Sequence, residues 1–238
     1  MSASLRCFLS RYVLDPEGNL PSTRDALAPL FRRLEDRTRS DGGGEGRRDG
    51  VGAGGRQGGE DVKWEWNGFV AEVPAHRVYS AALQDAELFV YCGHGSGERY
   101  LSRERIARLP RCAMSLLMGC SSGRLRGGGN FEPDGVTIRY LAAGSQAVVA
   151  NLWDVTDKDI DRFSEALVCG LVEDGGGGRE GGGEGGGEGD TSSSPYTLLQ
   201  TAVAKSRTAC KFPYLVGAST VVYGLPSVCL SIGPIGPS

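Results

Sequence analysis

Leu88-Phe-Val-Tyr-Cys-Gly-His94-Gly-Ser-Gly97, with its echo Ser115-Leu-Leu-Met-Gly-Cys120-Ser-Ser122, decides how this chain is read. Both runs share one grammar. A short apolar stretch stops at a glycine, and a reactive side chain follows at once. Leu88–Tyr91 and Met114–Met118 have the near-continuous apolar character of strands buried on both faces. Between them, residues 102–109 read as a two-turn helix. Strand, helix, strand implies two parallel strands. His94 and Cys120 would then emerge at the carboxyl edge of the sheet, where open α/β folds bind ligands. They would meet there although 26 positions separate them.

A thiol beside an imidazole is the minimal nucleophile–base pair. Flanking glycines let backbone N–H groups come close to a substrate carbonyl, as an oxyanion hole requires. The N–H groups of Gly95 and of Cys120 itself are the candidates. The alternative is a core cysteine and a loop histidine with no shared task.

The rest of the chain extends this pattern. Cys7–Leu14 reads as a first strand, followed by the turn Asp15-Pro-Glu-Gly18. Leu27, Leu30, Phe31 and Leu34 recur at i, i+3, i+4 and i+7, which predicts an amphipathic helix over 23–36. Trp64–Val73 has strand character, and its Trp pair suits core packing better than a ligand cage. His76 follows Pro74 and reads as a surface histidine in a polar loop. Residues 121–135 read as a glycine-rich loop, 136–143 as a helix, and 147–152 as another buried strand. Thr156 and Asp159 give a capping-box-like start to a helix carrying Ile160, Phe163, Leu167 and Leu171 on one face. A last helix is expected from Pro195 to about Cys210, capped by Ser194, and a last strand over 216–223.

This alternation predicts an α/β fold, a three-layer α/β/α sandwich with a mostly parallel central sheet. The expected organisation is one domain. Residues 1–36 give its first strand and helix and 61–174 its core. Residues 195–228 complete it, and 229–238 form a tail. Two glycine-rich inserts, 37–60 and 175–194, interrupt it. Residues 42–59 and 175–189 hold 10 and 11 of the 38 glycines, so the remaining composition is ordinary for a globular core.

Composition also excludes classes. A net charge of −3 without a basic cluster argues against a nucleic-acid surface. Seven scattered cysteines, no Cys-x-x-Cys pair and only two histidines argue against a disulfide framework and against a metal site. No cofactor is expected. Reduced cysteines and the absence of a signal-peptide core at the start fit the cytoplasm and nucleus. Residues 212–238 carry no charge, but Pro213, Pro226, Pro234 and Pro237 break them up, so no membrane span is expected.

The flanking words are more specific than the dyad. Tyr91-Cys-Gly-His-Gly-Ser-Gly97, Met118-Gly-Cys-Ser-Ser122 and Asn151-Leu-Trp-Asp-Val-Thr-Asp-Lys-Asp-Ile-Asp-Arg162 resemble the separase catalytic domain, a caspase-like cysteine peptidase of clan CD. Val13-Leu-Asp-Pro-Glu-Gly-Asn-Leu20, Ala204–Lys211 and Val222-Tyr-Gly-Leu-Pro226 extend the likeness. The resemblance implies a Cys120 nucleophile, a His94 proton carrier and cleavage after arginine. It implies the cohesin kleisin subunit as substrate and a securin-like inhibitor as partner. Separases usually carry a long helical region ahead of this domain, and the chain begins shortly before the domain.

The implied arginine preference needs a carboxylate. Trp153-Asp154 ends the strand expected beside that of Cys120, and a guanidinium pairs with a carboxylate in a two-pronged fork. Asp154 could instead cap the helix near Thr156. Asp157 could serve the same pocket, or favour the helix start together with Asp159 and Asp161. Glu45-Gly-Arg-Arg48 fits the acid-x-x-Arg pattern the resemblance implies, making Arg48 a candidate self-cleavage point. A caspase-like CHAT domain and an inactive partner-binding relative are the alternative readings.

Overall fold

The computed structural model describes residues 6–40, 62–172, 196–226 and 228–230. Arg48, Ser194, Pro195 and most of both glycine-rich inserts and of the tail lie outside the described residues. In chain order the elements are β1 (Arg6–Leu14), α1 (Pro21–Ser40), β2 (Val62–Val70), α2 (His76–Asp85), β3 (Leu88–Cys92) and α3 (Arg103–Ile106). Then follow β4 (Met114–Leu117), β5 (Arg126–Gly128), β6 (Phe131–Asp134), α4 (Val136–Ala142), β7 (Ala147–Asn151) and α5 (Asp157–Val172). The chain closes with β8 (Tyr196–Leu198), α6 (Leu199–Ser206), β9 (Thr220–Gly224) and β10 (Val228–Leu230).

Six strands form one sheet in the order β2-β1-β3-β4-β7-β9. The first five run parallel, and β9 lies antiparallel against β7. This is the expected mixed α/β architecture. The central strands are buried on both faces, so alternate residues feed opposite cores. Leu88, Val90 and Cys92 point toward Phe31 of α1, Phe163 of α5 and Leu199 of α6. Phe89 and Tyr91 point toward Tyr79 of α2, Ile106 of α3 and Tyr140 of α4. Trp64 and Trp66 belong to the first of these cores, with Trp66 6.0 Å from the Phe31 ring, so the Trp pair is packing.

Several elements differ from the sequence reading. α1 starts at Pro21 and runs through Ser40, beyond the expected 23–36. Pro suits a first helical position, where its missing N–H goes unneeded. The last turn is anchored by Thr38, whose hydroxyl donates to Leu34 O at 3.0 Å and accepts the Trp66 N–H at 3.3 Å. His76 is exposed, as expected, but it opens α2 rather than a loop. Residues 195–210 are not one helix. Tyr196–Leu198 pairs with β10 before α6 begins, and a 3₁₀ turn follows at Arg207–Ala209. The last strand is shorter than 216–223 because Gly217–Ser219 forms a 3₁₀ turn. The loop after Cys120 contains the β5–β6 ribbon.

Candidate active site

β3 and β4 are neighbours in register, Leu88 opposite Met114 and Tyr91 opposite Leu117. The pairing continues past β4 through Met118 N–H to Tyr91 O at 2.8 Å. Both strands therefore stop together, and the loops carrying His94 and Cys120 leave the same edge. Gly119 sets how close these loops come. A Cβ there would lie 2.0 Å from Gly95 O and 2.4 Å from Gly93 O, so only glycine fits between the two backbones. Gly95 itself has φ +62°, a conformation that glycine adopts without strain.

His94, which is exposed, and Cys120, which is half-buried, line one cavity. Leu20 and Thr23 close it from the start of α1, and Asp157 and Asp161 from the start of α5. The Cys120 thiol points at Val155 O, 3.3 Å away. Neither the Gly95 N–H nor the Cys120 N–H has an acceptor among the described residues.

The loop of Cys120 is fastened from beneath. Asn151, fully buried at the end of β7, donates from Nδ2 to Gly119 O at 3.0 Å. Its Oδ1 accepts the Thr220 hydroxyl of β9 at 2.7 Å. Ser122 Oγ donates to Leu117 O at 2.6 Å and accepts the Asn151 N–H at 3.0 Å. Ser121 holds φ +51°, costly for a side chain with a Cβ, and is fixed by its N–H to Trp153 O at 3.1 Å.

The expected arginine-reading residues separate. Asp157 lines the cavity. Asp154 does not line it; its Oδ1 accepts the Ser121 hydroxyl at 2.6 Å. Trp153 is partly exposed and donates from Nε1 to Leu215 O at 3.0 Å. Asp159 is buried and structural, accepting the Lys211 and Phe212 N–H groups at 2.9 and 3.1 Å.

Asn19 was missed by the sequence reading, and Asp161 was read there only as an acid at the helix start. Asp161 is buried and faces the cavity, and burial pushes its carboxyl up to about 7. The Asp157 charge adds to that rise, while a Thr23 hydrogen bond works against it. The signal was its i+4 spacing from Asp157, which places both on one helix face. Asn19 lies with its Oδ1 3.1 Å from His94 Nε2. Nothing local in the sequence pointed from Asn19 to a histidine 75 positions away.

Among the described residues no group of three or more His, Cys, Asp or Glu side chains could hold a metal. Among them, too, no helix is long and apolar enough to cross a membrane.

Comparison with known proteins agrees with this architecture. Residues 3–160 match the family described as "Separin, protease domain". The chain is 48% identical over 167 residues to a separin of Emericella nidulans, covering 69% of this chain and 8% of that protein. It is 35% identical over 215 residues to a separin of Mus musculus, covering 90% and 8% respectively. A crystal structure of the Saccharomyces cerevisiae separase–securin complex superposes with a TM-score of 0.67 at 31% identity, covering 94% of this chain and 12% of that one. The chain thus spans about a tenth of the length of the relatives it matches. A family match over 158 of 238 residues, together with a shared fold, shows that the chain belongs to the separin protease-domain family.

Proposed function

We propose that this chain is a cysteine endopeptidase domain that cleaves proteins after arginine, with the cohesin kleisin subunit as substrate and a securin-like protein as inhibitor. It would act in the cytoplasm and nucleus, releasing sister chromatids at anaphase. The observation that carries the reading is the single cavity lined by His94, Cys120 and a buried carboxyl.

Cys120 attacks the scissile carbonyl as thiolate, forming the C–S bond while the carbonyl oxygen takes the electron pair. The Gly95 and Cys120 N–H groups receive that oxyanion; among the described residues neither has another acceptor, which leaves them free to do so. His94 gives its proton to the leaving amine as the C–N bond breaks. Water, deprotonated by His94, then hydrolyses the thioester and restores the thiol.

Asp161 is assigned to the arginine. A buried carboxyl that burial drives toward its neutral form is a poor resident but a good host for a cation. A guanidinium entering beside it restores the ionised form, and Asp157 adds a second charge at the mouth. Asp154 and Trp153 shape the neighbouring rim. Leu20 and Thr23 of the opposite wall lie across the cavity from the Asp157 and Asp161 carboxyls. A relative in this family was solved bound to securin, which supports a securin-like inhibitor here.

The test is covalent labelling. An arginyl acyloxymethyl ketone should modify Cys120 in the native chain, located by peptide mass, and His94→Ala should abolish the labelling. No label at Cys120, with the protein folded, would remove the peptidase reading.

A further inference from the structure

We propose that Asn19 is a positioning residue that dictates which nitrogen of the His94 ring exchanges the proton with Cys120. This rests on the dyad reading above.

The argument follows from which groups donate and which accept. The two ends of an amide are told apart only by their partners. Asn19 Nδ2 donates to Glu17 Oε2 at 3.2 Å, and an ionised carboxylate can only accept. The NH₂ end therefore faces Glu17, and the carbonyl end faces His94 Nε2 at 3.1 Å. A carbonyl cannot donate, so Nε2 must carry a proton. That leaves Nδ1 as the basic nitrogen of the neutral ring. In the resting exchange the Cys120 proton moves to Nδ1, giving thiolate and imidazolium. Nε2–H stays on Asn19 throughout, and the Nδ1 proton later goes to the leaving amine.

Glu17 is itself held in place. Its Oε1 accepts from Arg99 at 2.5 Å and from the Tyr100 hydroxyl at 3.2 Å. Desolvation pulls its pKa upward, but the Arg99 hydrogen bond and charge outweigh that and keep the carboxyl below its ordinary range. The turn beneath Asn19 is equally fixed. Asp15, buried at φ +48°, accepts the Leu20 N–H on Oδ1 at 2.9 Å and the Gly18 N–H on its carbonyl at 2.9 Å. Its own N–H donates to Cys92 O at 2.8 Å, two residues before His94. The loops of Asn19 and His94 thus spring from one paired point, Leu14 opposite Cys92. The Tyr91 hydroxyl fixes the other side of the histidine by donating to His94 O at 2.8 Å.

Among the described residues, the Tyr91 and Tyr100 hydroxyls and the Cys92 thiol stand near the ring together with a few further charged and titratable groups. Glu17 and Arg99 lie on the Asn19 side, Cys120 on β4's loop, and Asp157 and Asp161 across the cavity on α5. An acceptor on Nε2–H favours the imidazolium, and an imidazolium favours the thiolate.

The experiment follows Cys120 alkylation by iodoacetamide against pH, read by peptide mass, in wild type, Asn19→Ala, Asn19→Asp and His94→Ala. It needs no substrate, so it is decided separately from the peptidase reading. Asn19→Ala should move the thiolate limb to higher pH by about half to one unit, and His94→Ala should move it at least as far. Asn19→Asp, which keeps an acceptor, should bring the limb back to the wild-type position or below. With an arginyl peptide, Asn19→Ala should lower kcat about 10- to 100-fold with KM within about threefold. An unmoved limb in Asn19→Ala or in His94→Ala overturns the proposal. If Asn19→Ala loses its thermal transition, Asn19→Asp decides alone: a limb at or below the wild-type pH supports the proposal, and a limb above it overturns it.

Discussion

The Ser121 hydroxyl donates to the Asp154 carboxylate at 2.6 Å, tying the residue after Cys120 to the loop that follows β7. Ser121 stands at positive φ, so this bond helps hold a backbone shape that its Cβ disfavours. Asp154 is thereby occupied by the protein itself, next to the nucleophile rather than inside the cavity.

This gives a prediction that distinguishes loop anchoring from arginine reading. Asp154→Asn keeps an acceptor for Ser121 and should stay within about threefold of wild type in kcat/KM. Asp154→Ala and Ser121→Ala should each lose activity, and the double variant no more than either alone, since they delete one shared bond. If Asp154→Asn instead costs about 2–5 kcal/mol, Asp154 is itself the arginine partner.

Asp161 should behave in the opposite way to an ordinary structural acid. Its carboxyl titrates near 7 in the folded protein, against about 4 in an unfolded chain. Between those values the folded protein holds a proton that the unfolded chain releases. Stability is therefore fully present below about pH 4 and falls as pH rises through 7. Asp161→Asn removes that slope. Its melting temperature should match wild type at pH 4 and exceed it at pH 8, while arginine cleavage is lost. A variant less stable than wild type at pH 8 would contradict the assignment.

The described thiols should differ sharply in reactivity. Burial raises Cys112 to about 12 and Cys210 to about 11, and it pushes Cys92 further still, helped by the nearby Asp161 charge. At pH 8 such thiols hold almost no thiolate. Brief iodoacetamide treatment of native protein should mark Cys120 ahead of Cys92, Cys112 and Cys210. Cys120→Ser and His94→Ala should abolish cleavage, whereas Cys112→Ser should not. Residual activity within tenfold of wild type in either dyad variant would sink the dyad.

Gly119→Ala is expected to spare the fold and ruin the site. The added methyl would meet three backbone atoms of the histidine loop, the farthest, Gly95 N, at 2.7 Å, and none of them is a flexible side-chain tip. Displacing that loop by about 1 Å should cost on the order of 100-fold in kcat. Circular dichroism unchanged with activity near wild type would show that the loops need not touch.

Much of this was legible in the chain. The parallel α/β sheet followed from short apolar strands alternating with helices, and the placing of His94 and Cys120 on one cavity followed from their positions at strand ends. What failed to show has a common cause. α2 has an apolar face of Tyr79, Ala82 and Leu83, but the polar start after Pro74 masked it. The helix expected over 195–210 breaks because strand pairing of Tyr196–Leu198 with β10 overrides local propensity. Asn19 and Asp161 depend on which side chains face the cavity, and that is settled by packing between α1, α5 and the sheet. Asp154 was expected in the pocket from its place at a strand end. Its hydrogen bond to Ser121 depends on the conformation of two loops, which spacing alone does not encode.

The buried amide of Asn151 has a consequence for how the chain may be shortened. It grips the carbonyl just before Cys120 with one end and the hydroxyl of Thr220 with the other. The region matched to the family ends at residue 160, and every residue named in the chemistry lies within it or one position beyond. A fragment trimmed there would still contain His94, Cys120 and Asn19. It would lack the distant edge strand against which the nucleophile's loop is braced, and the thiol would stand on an unsupported hinge.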